Sequence, residues 1–201
     1  MIATSPTYSS IPVYDSFAVF TPVAIPQCIL PDNDDFGGLG PIFRMAKGPN
    51  VEAQVEGARC LCDLSTEEGM RQPLCKHGGL DVLQQLLSVD NEWAVHHAAI
   101  ALANLSEDVA CHENIINTKL LPLLSTLGLK KEFQFIELRL LSIHILSNLM
   151  SRHRAKVISA VGLPCIENWL TYDASTTGDG SREQLRFRAK HLCNMLGFVA
   201  V

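Results

Sequence analysis

The stretch that decides the fold is Ala98-Ala99-Ile100-Ala101-Leu102-Ala103-Asn104-Leu105-Ser106, because its end recurs along the chain. Leu102-Ala103-Asn104-Leu105-Ser106 aligns with Leu61-Cys62-Asp63-Leu64-Ser65 before it, and with Leu146-Ser147-Asn148-Leu149 and Leu192-Cys193-Asn194-Met195-Leu196 after it. The polar member stands at 63, 104, 148 and 194, in steps of 41, 44 and 46. A second landmark alternates with the first: Gly38-Leu39-Gly40-Pro41, Gly79-Leu80-Asp81-Val82, Lys119-Leu120-Leu121-Pro122 and Gly162-Leu163-Pro164-Cys165, with leading leucines 41, 40 and 43 apart. Two landmarks that share a period in the low forties point to a solenoid of two or three helices per repeat.

Helical spacing supports this. Val95, Ala99, Leu102 and Ser106 follow one another at +4, +3 and +4, as do Leu185, Ala189, Leu192 and Leu196, so each set lines one helix face. Gly79 and Gly162 stand where a C-cap or a sharp turn between helices is expected.

Composition bounds the rest. The 201 residues carry a formal charge of −5 with only 18% charged, which argues against a nucleic-acid backbone or an anionic membrane as the main partner. The seven cysteines are an odd number and most sit in apolar helical runs, as in a reduced intracellular protein, cytoplasmic or nuclear. Met1 to Ser10 carries no charge, so no cleavable leader is read there. No apolar run reaches the ~20 residues of a spanning helix. Seven of the ten prolines precede residue 50, and residues 1–36 are expected to form an extended or disordered arm.

The Gly-Leu landmark, the leucine run behind it and Ala-Ala-x-Ala-Leu-x-Asn-Leu-Ser at 98–106 resemble the armadillo repeat over roughly residues 37–197. The resemblance implies an all-α, right-handed armadillo-type solenoid. In each repeat a short first helix precedes a second helix opening at Gly-Leu and a longer third helix ending at Asn-Leu. On this pattern a partial repeat covers 37–65 and full repeats cover 67–106, 108–150 and 152–197. Asp63 stands where the pattern has Asn, Lys119 where it has Gly, and 172–180 is an insertion. The array starts in mid-repeat and runs to Phe198-Val199-Ala200-Val201. Because solenoid ends usually need polar caps, a fragment of a longer array or a homo-oligomer joined through open ends is expected.

By the same resemblance, the third helices line a concave groove and the landmark Asn holds the backbone of an extended peptide. The rungs here are Asn104, Asn148 and Asn194, with Asp63 an altered one. An Asn amide offers both a donor and an acceptor to a peptide unit. Positions four and eight before each rung should share its face: Arg59 and Val55, Ile100 and His96, His144 and Leu140, Lys190 and Arg186. This predicts a mixed apolar and basic groove, and as partner a protein segment of alternating apolar and acidic side chains. Import receptors of this family place Trp four residues before the Asn, where this chain has Arg59, Ile100, His144 and Lys190, so that function is not expected.

Other chemistry is weaker. Cys60 and Cys62 lie about 200° apart on a helix, Cys60 is expected in the core, and with Cys75 and His77 they make a poor zinc site. His96 and His97 are adjacent on one helix and cannot both face one metal. There is no nucleophile elbow, P-loop or dinucleotide glycine pattern, so no catalysis, metal, cofactor or small-molecule substrate is expected. Residues 181–191, with Arg182, Arg186, Arg188 and Lys190, carry a net +3 before histidine and offer an alternative, a nucleic-acid or anionic-lipid patch, without aromatic side chains interleaved for base stacking.

Overall fold

The structure, a computed structural model, describes residues 38–127, 136–160 and 181–196. The 1–36 arm, the Gly162 landmark, the 172–180 insertion and Phe198-Val199 lie outside the described residues.

The described residues are almost entirely helical: α1 (Gly40–Lys47), α2 (Val51–Thr66), α3 (Glu68–Lys76), α4 (Gly79–Leu86), α5 (Glu92–Glu107), a 3₁₀ turn (Val109–Cys111), α6 (His112–Ile116), α7 (Leu120–Leu127), α8 (Ile136–Ala160) and α9 (Ser181–Leu196). Helical geometry breaks inside α8 at His153 (φ −122°, ψ 32°). The part before this kink is a third helix and the part after it a first helix. No described helix is long and apolar enough to cross a membrane.

Local chemistry sets the helix ends. Asn50 and Asn91 cap the long helices α2 and α5, their side chains accepting from Ala53 N at 2.8 Å and Ala94 N at 3.0 Å, which satisfies amides left over by the first turn. The turn before α4 is made by Gly78 at φ +88°, a left-handed conformation that costs an L-residue with a Cβ about 1–2 kcal/mol. Gly79 has a different duty from the turn expected of it, because a Cβ there would come within 2.6 Å of the Leu74 carbonyl oxygen. At the third landmark, where Lys119 replaces Gly, Thr118 Oγ1 accepts from Leu120 N at 3.3 Å and Gln84 Oε1 accepts from Lys119 N at 3.3 Å.

The long helices form one layer: α2 packs along α5, α5 along α8 and α8 along α9. Because α5 lies between two neighbours, Ala94, Ala98, Ala99, Ala101, Leu102 and Leu105 are all buried, and alanine lets the backbones approach closely. Gly57 does the same for α2 and α1, where a Cβ would come within 2.8 Å of Ala46. The other layer holds α1 against α4, and α3 against the 3₁₀ turn and α6. Cys62 is the core thiol of its pair, whereas Cys60 is only partly buried, a reversal of the sequence expectation.

Candidate functional site

The rungs hold one another through a serine. Asn104 Nδ2 donates to Ser65 Oγ at 2.9 Å and Asn148 Nδ2 donates to Ser106 Oγ at 3.0 Å. Each serine hydroxyl in turn donates to the carbonyl three residues earlier, Ser65 to Cys62 O at 2.6 Å and Ser106 to Ala103 O at 2.7 Å. With its proton spent there, the serine oxygen can only accept, so each Asn must turn its NH₂ toward it. This leaves Oδ1 of Asn104 and of Asn148 without a partner among the described residues. A half-buried acceptor held at a fixed angle suits the N–H of an extended backbone. The position equivalent to Ser106 in the next repeat is buried Met150, and Asn194 is exposed. Asp63, also exposed, is occupied by its own helix, accepting from Arg59 Nη1 at 3.3 Å.

The phase of the helices redraws the rest of the face. Residues four, seven and eleven before a rung lie within about 40° of it, whereas the eighth lies about 80° away. The rung face therefore reads Arg59, Glu56 and Glu52 on α2; Ile100, His97 and Trp93 on α5; His144, Leu141 and Glu137 on α8; and Lys190, Phe187 and Glu183 on α9. The face opposite the rung on α9, with Leu185, Ala189 and Leu192, is fully buried. His96, eight before its rung, is only 5% exposed and belongs to the core, while Val55 and Leu140 pack partly buried against it. Arg186 lies on α9, and its side chain is outside the described part.

Several charges of the expected mixed apolar and basic groove have partners within the fold. Arg59 is held by Glu56, through Nε–Oε2 at 3.0 Å and a second contact to Oε1, and by Asp63. The hydrogen bond from Arg59 holds the Glu56 carboxyl below its usual range. Burial, followed by the nearby Arg188, lowers the pKa of His144 despite the opposing Glu107, and burial also lowers His97. Burial pushes His96 down to about 4. His96, His97 and His144 are therefore mainly neutral at pH 7, Arg59 is offset by two carboxylates, and Glu52, Glu137 and Glu183 add negative charge. Lys190 is exposed and forms no ion pair with any described residue. Half-exposed Trp93 and the more exposed Phe187 add aromatic surface.

A polar chain ties the layers together. Arg71 donates from Nε to Ser65 O at 3.1 Å and pairs through Nη2 with Glu107 at 3.2 Å. Glu107 Oε1 lies 3.8 Å from His144 Nε2, which is 3.4 Å from Asn148 Nδ2. Sequence reasoning named the rungs but missed Ser65, Ser106, Arg71 and Glu107. The Ser two residues after the rung was visible in the first landmark, but its partner was not.

No described group of three or more His, Cys, Asp or Glu is placed to hold a metal.

Stacked three-helix repeats with a continuous layer of long helices define an all-α solenoid. It has the armadillo fold. Computationally designed armadillo repeat proteins for modular peptide recognition superpose with a TM-score of 0.67 at 18% identity, over 81% of this chain and 65% of that one. A designed armadillo repeat protein in complex with the peptide (KR)4 gives 0.67 at 18% identity, over 80% and 64%. An engineered protein from a structural genomics programme gives 0.66 at 20% identity, over 82% and 69%. The chain thus spans about two thirds of the length of these structures. No protein-family model matches the sequence, and no curated protein matches it significantly.

Proposed function

We propose that the rung face of α2, α5, α8 and α9 binds an extended segment of a partner protein, without catalysing a reaction on it. The observation that carries this reading is the serine-locked pair Asn104 and Asn148, which leaves a carbonyl oxygen on each to accept from a peptide backbone. Designed armadillo proteins made for peptide recognition support it through their shared fold.

The charge of the face now favours apolar and cationic side chains in the ligand over the acidic ones expected from sequence. Glu52, Glu56, Asp63, Glu137 and Glu183 outnumber Arg59 and Lys190, and complementary charge mainly sets selectivity and on-rate. Trp93 and Phe187 offer surfaces on which apolar or cationic groups pack. Four cysteines free of disulfides, Cys60, Cys62, Cys75 and Cys111, support an intracellular setting for this binding.

The test is fluorescence anisotropy with labelled octapeptides that alternate leucine with lysine, glutamate or serine. The lysine peptide should bind most tightly, and the double variant Asn104→Ala, Asn148→Ala should weaken it by roughly 10-fold or more, about the value of two backbone hydrogen bonds. Preference for the glutamate peptide would restore the acidic ligand. Binding indifferent to the double variant would remove the groove reading.

A further inference from the structure

We propose that Cys75 and Cys111 form a reversible redox site, a dithiol that a hydroperoxide converts into a disulfide stapling two consecutive repeats together. Cys75 lies in the last turn of α3 and Cys111 ends the 3₁₀ turn packed against it, so the two thiols belong to successive first-helix layers. Across this packing the two thiols interact with each other. Both are buried, Cys75 at 8% exposure and Cys111 at 0%. Cys111 directly follows exposed Val109 and Ala110 on the same turn.

The surroundings divide the labour between the two sulfurs. The hydrogen bond with Cys75 is the largest influence on Cys111 and lowers its pKa, with Arg71 and Lys76 adding to that effect. The same bond raises Cys75, as does burial. The first proton lost by the pair therefore leaves its charge on Cys111, and thiolate character is what a peroxide requires.

Attack of the Cys111 thiolate on hydrogen peroxide forms an S–O bond and breaks O–O, giving a sulfenic acid and hydroxide, which leaves as water once protonated. The Cys75 thiol then attacks the sulfenic sulfur. The S–S bond forms, S–O breaks, and a second water carries away the thiol proton. Two thiols and one peroxide become one disulfide and two waters, and the two electrons come from the sulfurs. Each repeat of a solenoid packs only against its neighbours, so a covalent link between two of them acts directly on the interface that joins them. It also closes a loop that contains all of α4 and α5, which restricts the unfolded chain.

The experiment uses the whole chain, reduced, desalted and treated with hydrogen peroxide, then alkylated and digested without reductant for peptide mapping by mass spectrometry. A linked peptide joining Cys75 to Cys111 is expected, reversed by dithiothreitol, with a melting midpoint raised by roughly 5–10 °C. In Cys75→Ser, Cys111 should stop at a sulfenic acid that dimedone traps. In Cys111→Ser the linked peptide should disappear, with circular dichroism checking that both variants stay helical. Oxidation at half-buried Cys60 with none at Cys111, or a disulfide to any other cysteine, would overturn the site. An unchanged or lowered midpoint in the linked protein would overturn its role as a staple. The mapping of the unaltered chain decides the matter even where a variant fails to fold.

Discussion

Ser106 shows how much of this face depends on single atoms. Its hydroxyl donates to Ala103 O and accepts from Asn148, while its own carbonyl oxygen lies 2.8 Å from His112 Nε2. Removing the hydroxyl in Ser106→Ala frees Asn148 to rotate, and peptide affinity should fall about 3- to 10-fold alongside roughly 1 kcal/mol of stability, the range for one hydrogen bond. Ser106→Thr keeps the hydroxyl and should restore most of the affinity. Titration calorimetry and urea unfolding on both variants separate the two effects. A loss of stability without any loss of affinity would make Ser106 a scaffold residue only. None of this was legible at residue level in the sequence, because the Ser and its Asn lie about forty positions apart and meet only when repeats stack.

At the scale of the helix, packing distance and capping govern different things. Gly57 lets α1 approach α2, and a methyl group there would come within 2.8 Å of Ala46 backbone and side-chain atoms. Gly57→Ala should therefore destabilise by about 1–3 kcal/mol through overpacking, although alanine is the better helix former. Asn91→Ala removes only the α5 cap and should cost about 1 kcal/mol. Thermal unfolding of both variants checks the ranking, and a stabilised Gly57→Ala would refute the close approach. The existence of these helices was legible because the leucine landmarks repeat with period and phase. Helical phase was legible only in part: by spacing, Arg59, Ile100, His144 and Lys190, four before each rung, share its face, but eight before it led to His96 in the core. The error is one of accumulated phase, since two helical turns take slightly more than seven residues and not eight.

For the whole molecule, the buried histidines set an acid limit. His96 is pushed down to about 4 by burial, against an ordinary value near 6.5. The unfolded chain binds a proton in this window that the folded chain refuses, so stability is greatest above pH ~6.5 and falls as the pH drops toward 4. For His96 alone the loss is about 3 kcal/mol, and the lowered His97 and His144 act in the same direction. Urea unfolding between pH 7.5 and 4.5 should show this decline, and His96→Gln should flatten it. An equal slope in the variant would place the acid sensitivity elsewhere.

The sequence by itself determined the period, the helical class and the armadillo-like order of short and long helices. These follow from local spacing of apolar residues, glycine and asparagine, which short-range sterics and burial read directly. Only the tertiary structure decided the orientation of Asn104 and Asn148, the withdrawal of His96 into the core and the pairing of Arg59. Those depend on which side chains from different repeats meet, and on whether water or protein surrounds a charge. Arg59 illustrates the difference: a cation in the sequence, it stands in the fold between Glu56 and Asp63, which cancel the charge it was expected to offer a ligand.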